Sequence, residues 1–237
     1  MTRICIALPV FNGEEFVGEA IKSILSQTFR EFRLIILDNA STDKTQQICE
    51  RYAKTDSRIE YHRHQTNIGA PANFNRAFEL SQSKLFKWAA ADDTLSPEYL
   101  SRCIEAMDRD PEIVLCHSQV RVIDEQGRPV RNYVSPLTRL GSARAADRFA
   151  DLVLARHACF DVFGVIRSNA LAKTPKIGSY RSADRNLLAE LALMGKVHIV
   201  PDSLFLSRDH GGRSVRISEA KKVREWWGQN GVFVFPY

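Results

Sequence analysis

Four apolar runs of strand length, each ending in polar side chains, punctuate the first 93 residues. Ile4–Leu8 leads into Pro9-Val10-Phe11-Asn12, and Phe32–Leu37 into Asp38-Asn39-Ala40-Ser41-Thr42-Asp43. Arg58–His64 leads into Asn67-Ile68-Gly69, and Leu85–Ala91 into Asp92-Asp93. Amphipathic segments lie between them. Glu14–Thr28 carries Val17, Ile21, Ile24 and Leu25 on one face. Asp43–Lys54, Ala70–Gln82 and Pro97–Arg109 complete the helical set, the last with Ser96 as its expected N-cap and Pro97 as its first residue. Strands alternating with helices predict an α/β fold, an open and mostly parallel sheet flanked by helices. Ligands of such sheets bind outside the carboxyl ends of the strands, where all four polar clusters fall. One site for a polar, metal-assisted ligand is the expectation.

The alternation loosens after residue 120. A strand Ile113–Val120, a hairpin turn at Asp124–Arg128 and a helix Arg144–Leu154 are expected. A strand Phe160–Ile166, a helix Asp184–Met194 ending at Gly195, and two short strands, Val197–Val200 and Leu204–Ser207, follow. Ser218–Trp227 reads as a basic amphipathic helix. The expected organisation is a single domain over 1–237, with a nucleotide-binding half, 1–120, and a half that completes the site, 121–237.

Composition narrows the partners. Lys plus Arg is 33 against 28 Asp plus Glu, a net charge of +5, which suits a phosphate-bearing ligand or an anionic membrane surface and does not call for nucleic acid. The five cysteines, Cys5, Cys49, Cys103, Cys116 and Cys159, form no C-x-x-C pair and read as reduced thiols of a cytoplasmic protein. Pro9 and Asn12 interrupt the first apolar run, so no signal sequence is expected there. No apolar stretch reaches the length of a membrane span.

The residue types at the strand ends suggest chemistry. A carboxylate after a buried strand, Asp38, can accept hydrogen bonds from a base or ribose. Asp38 lies too far before the next helix to cap it, whereas Ser41 and Asp43 are equally well explained as caps. Adjacent Asp92 and Asp93 repel unless a cation or hydrogen-bond donors offset them, and Mg²⁺ or Mn²⁺ shared with substrate phosphates would do so. Asn67 and Gly69 form a turn into the next helix. His210, between two arginines and two glycines in Arg208–Arg213, suits phosphate or metal.

Taken in order, these residues resemble the family 2 glycosyltransferases, whose fold is GT-A. Pro9-Val10-Phe11-Asn12-Gly13-Glu14-Glu15 is similar to the family's P-x-[YF]-N opening, Asp38–Asp43 to its D-[DN]-x-S-x-D block, and Asn67-Ile68-Gly69 to its N-x-G. Asp92-Asp93, followed by Pro97, stands where its D-x-D segment falls, with Ala90 in place of the first Asp. Asn73-Phe74-Asn75 replaces a common A-R-N, and the Q-x-x-R-W signature of processive synthases is missing.

The resemblance implies that Asp38 binds the base, and that Pro9, Val10, Asn12, Glu15, Asn67, Gly69 and Asp92 belong to the nucleotide-sugar site. It implies a Mn²⁺ or Mg²⁺ site at Asp92, Asp93 and His210, and Asp184 as the general base on the acceptor. The implied activity is inverting, metal-dependent transfer of a single sugar from a UDP-sugar or related donor to a saccharide or lipid-linked acceptor, in cell-surface polysaccharide or glycolipid synthesis. Residues 121–237 then form the acceptor-side half. Between residues 207 and 224 six basic side chains face two acidic ones, and Trp226, Trp227, Phe233 and Phe235 follow, which suits peripheral docking on an anionic inner membrane face. An inactive nucleotide-sugar binding module is the alternative. A nucleotidyltransferase lacks its basic Gly-rich loop here, and a dehydrogenase lacks G-x-G-x-x-G.

Overall fold

The computed structural model describes residues 2–213. The chain runs β1 (Ile4–Val10), α1 (Val17–Leu25), β2 (Phe32–Asp38), α2 (Thr45–Thr55), β3 (Ile59–Arg63), α3 (Ala70–Glu79), β4 (Leu85–Trp88) and β5 (Thr94–Leu95). It continues as α4 (Tyr99–Arg109), β6 (Ile113–Ile123), β7 (Pro129–Tyr133), α5 (Ala145–Leu154), a 3-10 turn (Phe160–Phe163), β8 (Val165–Arg167), α6 (Ser168–Leu171), α7 (Ala183–Met194) and β9 (Lys196–Arg208). One sheet collects the strands in the order β3-β2-β1-β4-β8-β6-β9-β5, with β7 paired to β6. β3, β2, β1 and β4 are parallel, as the alternation predicts. The remainder is mixed: β8 runs antiparallel to β4 and β6, β9 runs parallel to β6, and β5 antiparallel to β9.

The central strands are mostly apolar because both sheet faces are covered. Ile4, Ile6 and Leu8 of β1 join a core with Val17, Ile21 and Ile24 of α1 and Leu100 and Ile104 of α4. Cys5 and Ala7 face the other way, into a core with Phe86 and Trp88 of β4 and Leu187, Leu188 and Leu191 of α7. Cutting one of these aliphatic side chains to Ala would cost about 2–5 kcal/mol. Cys5, Cys49, Cys103 and Cys116 are buried free thiols, and Cys159 is half-buried.

Three local expectations are corrected. α4 starts at Tyr99 rather than Pro97, because the Ser96 and Pro97 carbonyls are taken by Gln27 Nε2 and Thr28 N, at 2.8 Å each. Buried Gln27 then serves as a remote cap, its Oε1 accepting from Leu100 N at 2.9 Å. Phe160–Phe163 is a 3-10 turn, and the strand begins only after Gly164, where a Cβ would lie 2.8 Å from the Cys116 carbonyl. The two expected short strands near residue 200 are one, β9. It stays paired with β6 past Pro201 because the register shifts there, from Ser118↔Val200 to Gln119↔Ser203. Among the described residues no helix is long and apolar enough to cross a membrane. The expected helix at Ser218–Trp227 and the aromatic segment after it lie outside the described residues.

Candidate active site

Strand register assembles one side of the candidate site. Val10 pairs with Asp38, and Asp38 with Arg63, so three chain turns leave the sheet together. Asp38 is fully buried. Its Oδ1 accepts from Ser41 N at 2.8 Å, and its Oδ2 accepts from Tyr61 Oη at 2.8 Å, with Arg63 Nε 3.3 Å away. The carboxylate expected to meet the base thus also accepts from the chain's own donors. A buried charge needs such partners, and here they tie β2 to β3. Burial, followed by the Asp38 contact, raises the Tyr61 hydroxyl well above its ordinary pKa.

The turns are laced together by their polar side chains. Asn12, in a left-handed conformation (φ 49°), accepts from Thr42 N at 2.8 Å through Oδ1 and donates its own N–H to Ser41 Oγ at 2.9 Å. Gly13 N donates to Thr45 Oγ1 at 2.8 Å, and Lys44 N to Glu14 Oε2 at 2.9 Å. Asn39 Nδ2 donates to Asn67 Oδ1 at 2.7 Å, and that oxygen also accepts from Gly69 N at 2.8 Å. Gly69 begins α3 with φ 85°, which a glycine adopts without strain. Pro9 and Val10 are buried beneath these turns, and Asn12, Glu15 and Asn67 are exposed. Phe11 and Ile68 also stand out from them, 42% and 36% exposed. An apolar side chain in a polar turn is the signal that marks both.

The acidic loop closes on this platform. A Cβ on Gly13 would sit 3.7 Å from the Ala91 Cβ, so the loop before Asp92 touches the first turn. The two aspartates do different things. Asp92 Oδ2 lies 2.9 Å from His210 Nε2, and that contact raises the His210 pKa, with Glu15 among the nearby charges. Asp93 Oδ1 instead accepts from Arg208 N at 2.8 Å, and Asp93 lines a small cavity with Lys87, Ser23 and Phe205. Burial first, and then the Asp92 charge, push the Asp93 carboxyl up to about 7. The repulsion between the two acids is thus met partly by the chain's own Arg208 and His210.

For a divalent cation, Asp92 and His210 bring one carboxylate and one imidazole to a single point. Among the described residues no group of three or more His, Cys, Asp or Glu side chains converges, so Asp93 does not join them in an all-protein cage. A two-residue donor set fits a cation whose other ligands are substrate phosphate oxygens and water.

Asp184 sits in the first turn of α7, after Ser182 in a left-handed conformation (φ 64°). It is half-buried and accepts from Arg185 N at 2.9 Å. Its charge, after burial itself, helps raise the pKa of the neighbouring Cys159 thiol. This places Asp184 beside the 3-10 turn, which packs on β4 and β6.

Sequence reasoning passed over Lys87 and misjudged Arg208. Lys87 is fully buried in β4, donating to Trp88 O at 3.2 Å and to Phe163 O, with Nζ 4.8 Å from the Tyr99 ring centroid. Burial pushes its pKa down to about 7. Arg208, expected in a loop suited to phosphate or metal, is the last residue of β9 and fully buried, its guanidinium hydrogen-bonded to Asp92, Asp124, Glu125 and Glu19.

The model for glycosyl transferase family 2 matches residues 5–172, and the chain belongs to that family. An uncharacterized glycosyltransferase of Methanocaldococcus jannaschii is 30% identical over 132 residues, 55% of this chain and 46% of the relative. The putative teichuronic acid biosynthesis glycosyltransferase TuaG of Bacillus subtilis is 29% identical over 104 residues, 44% of this chain and 41% of the relative. The chain therefore spans under half of each of these relatives. Among solved structures, S. aureus TarS 1–349 in complex with UDP-GlcNAc superposes with a TM-score of 0.71 at 18% identity, covering 92% of this chain and 61% of that one. The mannosyltransferase PcManGT from Pyrobaculum calidifontis, in complex with GDP-Man and Mn2+, gives 0.64 at 17% identity, covering 86% and 56%. These likenesses place the fold in the GT-A class.

Proposed function

We propose that the chain transfers a single sugar, with inversion, from a nucleotide-diphosphate sugar to an acceptor hydroxyl, and that it does so with Mn²⁺ or Mg²⁺. The observation that carries the reading is the Asp92–His210 pair beside the laced turns of β1, β2 and β3. Phe11 and Ile68 offer apolar surface to a base, while Asp38 and Asn67 hold the turns that present them. Asp92 and His210 would hold the cation, which would supply positive charge against the diphosphate as it departs. Asp184 takes the proton from the attacking acceptor hydroxyl, and no side chain of the site stands as a nucleophile for a double displacement.

The names of the relatives support the substrate classes. TarS is described with UDP-GlcNAc and PcManGT with GDP-Man, which favours a nucleotide sugar, and a UDP-sugar is the first choice. TuaG points to a saccharide or lipid-linked acceptor in cell-surface polysaccharide synthesis. Residues 1–120 would bind the donor and 121–237 the acceptor. The basic, aromatic sequence after residue 207, without buried Arg208, suits docking from the cytoplasm onto an anionic membrane face.

The test is a panel of nucleotide sugars, with and without Mn²⁺, read by thermal shift and by release of nucleoside diphosphate. One donor should stabilise the protein only with metal, and the product's anomeric configuration should be inverted. Equal stabilisation in EDTA would remove the metal from the reading, and a retained configuration would remove the single displacement.

A further inference from the structure

We propose that Arg208 is a positioning residue that sets the Asp92 carboxylate for the cation, a role that rests on the metal reading above. Its side chain is 1% exposed and joins four parts of the site. Nε donates to the Asp92 carbonyl at 3.0 Å. Nη1 donates to the Glu125 carbonyl at 2.7 Å and the Asp124 carbonyl at 3.3 Å, in the β6–β7 turn. Nη2 donates to Glu19 Oε2 at 2.5 Å, on α1. The guanidinium carbon stands 4.7 Å from the centroid of the Phe16 ring, whose other neighbour is the His210 ring at 4.8 Å. The Arg208 backbone N–H meanwhile holds Asp93 Oδ1 at 2.8 Å.

Neither cation-facing atom is touched by Arg208 directly. It fixes what carries them: the Asp92 peptide on one side and, two residues along its own chain, His210 on the other. The planar fork is what the task needs. Four of its five N–H groups are aimed at acceptors in three separate segments, an arrangement an ammonium group on a flexible stem cannot reproduce. Holding a ligating carboxylate through its own main chain is the same kind of control that outer hydrogen-bond partners exert on metal ligands elsewhere.

The experiment compares the parent chain with Arg208→Lys, Glu19→Gln and Asp92→Asn. It measures Mn²⁺ binding in the presence of UDP by electron paramagnetic resonance titration, UDP binding without metal by calorimetry, and the melting temperature. Arg208→Lys is expected to lose about 10-fold or more in Mn²⁺ affinity while UDP binding without metal stays at the parent level. Asp92→Asn should lose Mn²⁺ binding altogether. A lowered melting temperature in Arg208→Lys with parent Mn²⁺ affinity would make Arg208 a packing residue only and overturn the proposal. If Asp92→Asn keeps parent Mn²⁺ affinity, the metal reading fails and the positioning role falls with it. Should Arg208→Lys not fold, Glu19→Gln gives the deciding readout: loosening Nη2 should cost about 2–3-fold in Mn²⁺ affinity, and no loss there overturns the role.

Discussion

Asp92 Oδ2 and His210 Nε2 lie 2.9 Å apart although 118 residues separate them along the chain. The pair joins the loop after β4 to the end of β9 and, like the Arg208 contacts beside it, draws one residue from each half of the sequence. Replacing His210 with Ala is expected to raise the Mn²⁺ needed for half-maximal transfer by about 10-fold, because one ligand is lost and Asp92 loses its partner. Activity measured across a Mn²⁺ series checks this, and an unchanged midpoint would leave His210 as a packing partner of Phe16.

Asp38 is expected to act on stability before it acts on binding. Asp38→Ala removes the acceptor of Tyr61 and Ser41 and the ion-pair partner of solvent-exposed Arg63, a loss of about 1–3 kcal/mol for the donors left without an acceptor. Tyr61→Phe removes one hydrogen bond and should cost about 0.5–1.5 kcal/mol. Urea unfolding measures both. Parent stability with weakened nucleotide binding would return Asp38 to the ligand.

Asp184→Asn is expected to lower transfer by roughly 10²-fold or more while donor and metal binding persist, because the base meets the acceptor and not the nucleotide. Single-turnover transfer alongside donor calorimetry separates the two. Loss of donor affinity instead would move Asp184 into the donor site.

Asp161 provides a pH signature. It is buried in the 3-10 turn, and burial raises its carboxyl to about 6 from the ordinary 3.8. Between those values the folded chain holds more protons than the unfolded one, so this group's contribution to stability falls as pH rises. Above about pH 6 the folded carboxylate is charged and the penalty is complete. Asp161→Asn should therefore flatten the slope between about pH 4 and 6 and stabilise the chain at pH 8 by up to about 3 kcal/mol. Unfolding curves at pH 4, 6 and 8 check the sign; a destabilised variant at pH 8 would mean that the carboxylate has a partner it needs.

The parallel half of the fold was legible because its strands are buried on both faces and its helices on one. That produces apolar runs in Ile4–Leu8 and Leu34–Leu37 and a spaced stripe at Val17, Ile21 and Ile24. The polar clusters were legible as well, since turn chemistry is local. What each cluster does was less so. That Asp38 meets Tyr61 follows only from the register of β2 against β3, which the letter itself does not carry. Lys87 and Arg208 look like surface residues until the sheet closes over them, and Arg208 meets Glu19 across 189 residues of sequence. That the two expected strands on either side of Pro201 are one was not legible, because the partner, β6, absorbs the interruption by shifting register.

The parallel pairing of β6 with β9 also dictates an order of events during synthesis. β9 carries Arg208 and leads to His210, and both must leave the ribosome before Asp92 can be clasped. A nascent chain that has completed only β1–β4 has the sequence of the turns, yet its acidic loop carries two neighbouring carboxyl groups and none of the partners that β9 brings. The clasp on Asp92 thus arrives late, with the last described strand, so a chain cut short before residue 208 would lack it.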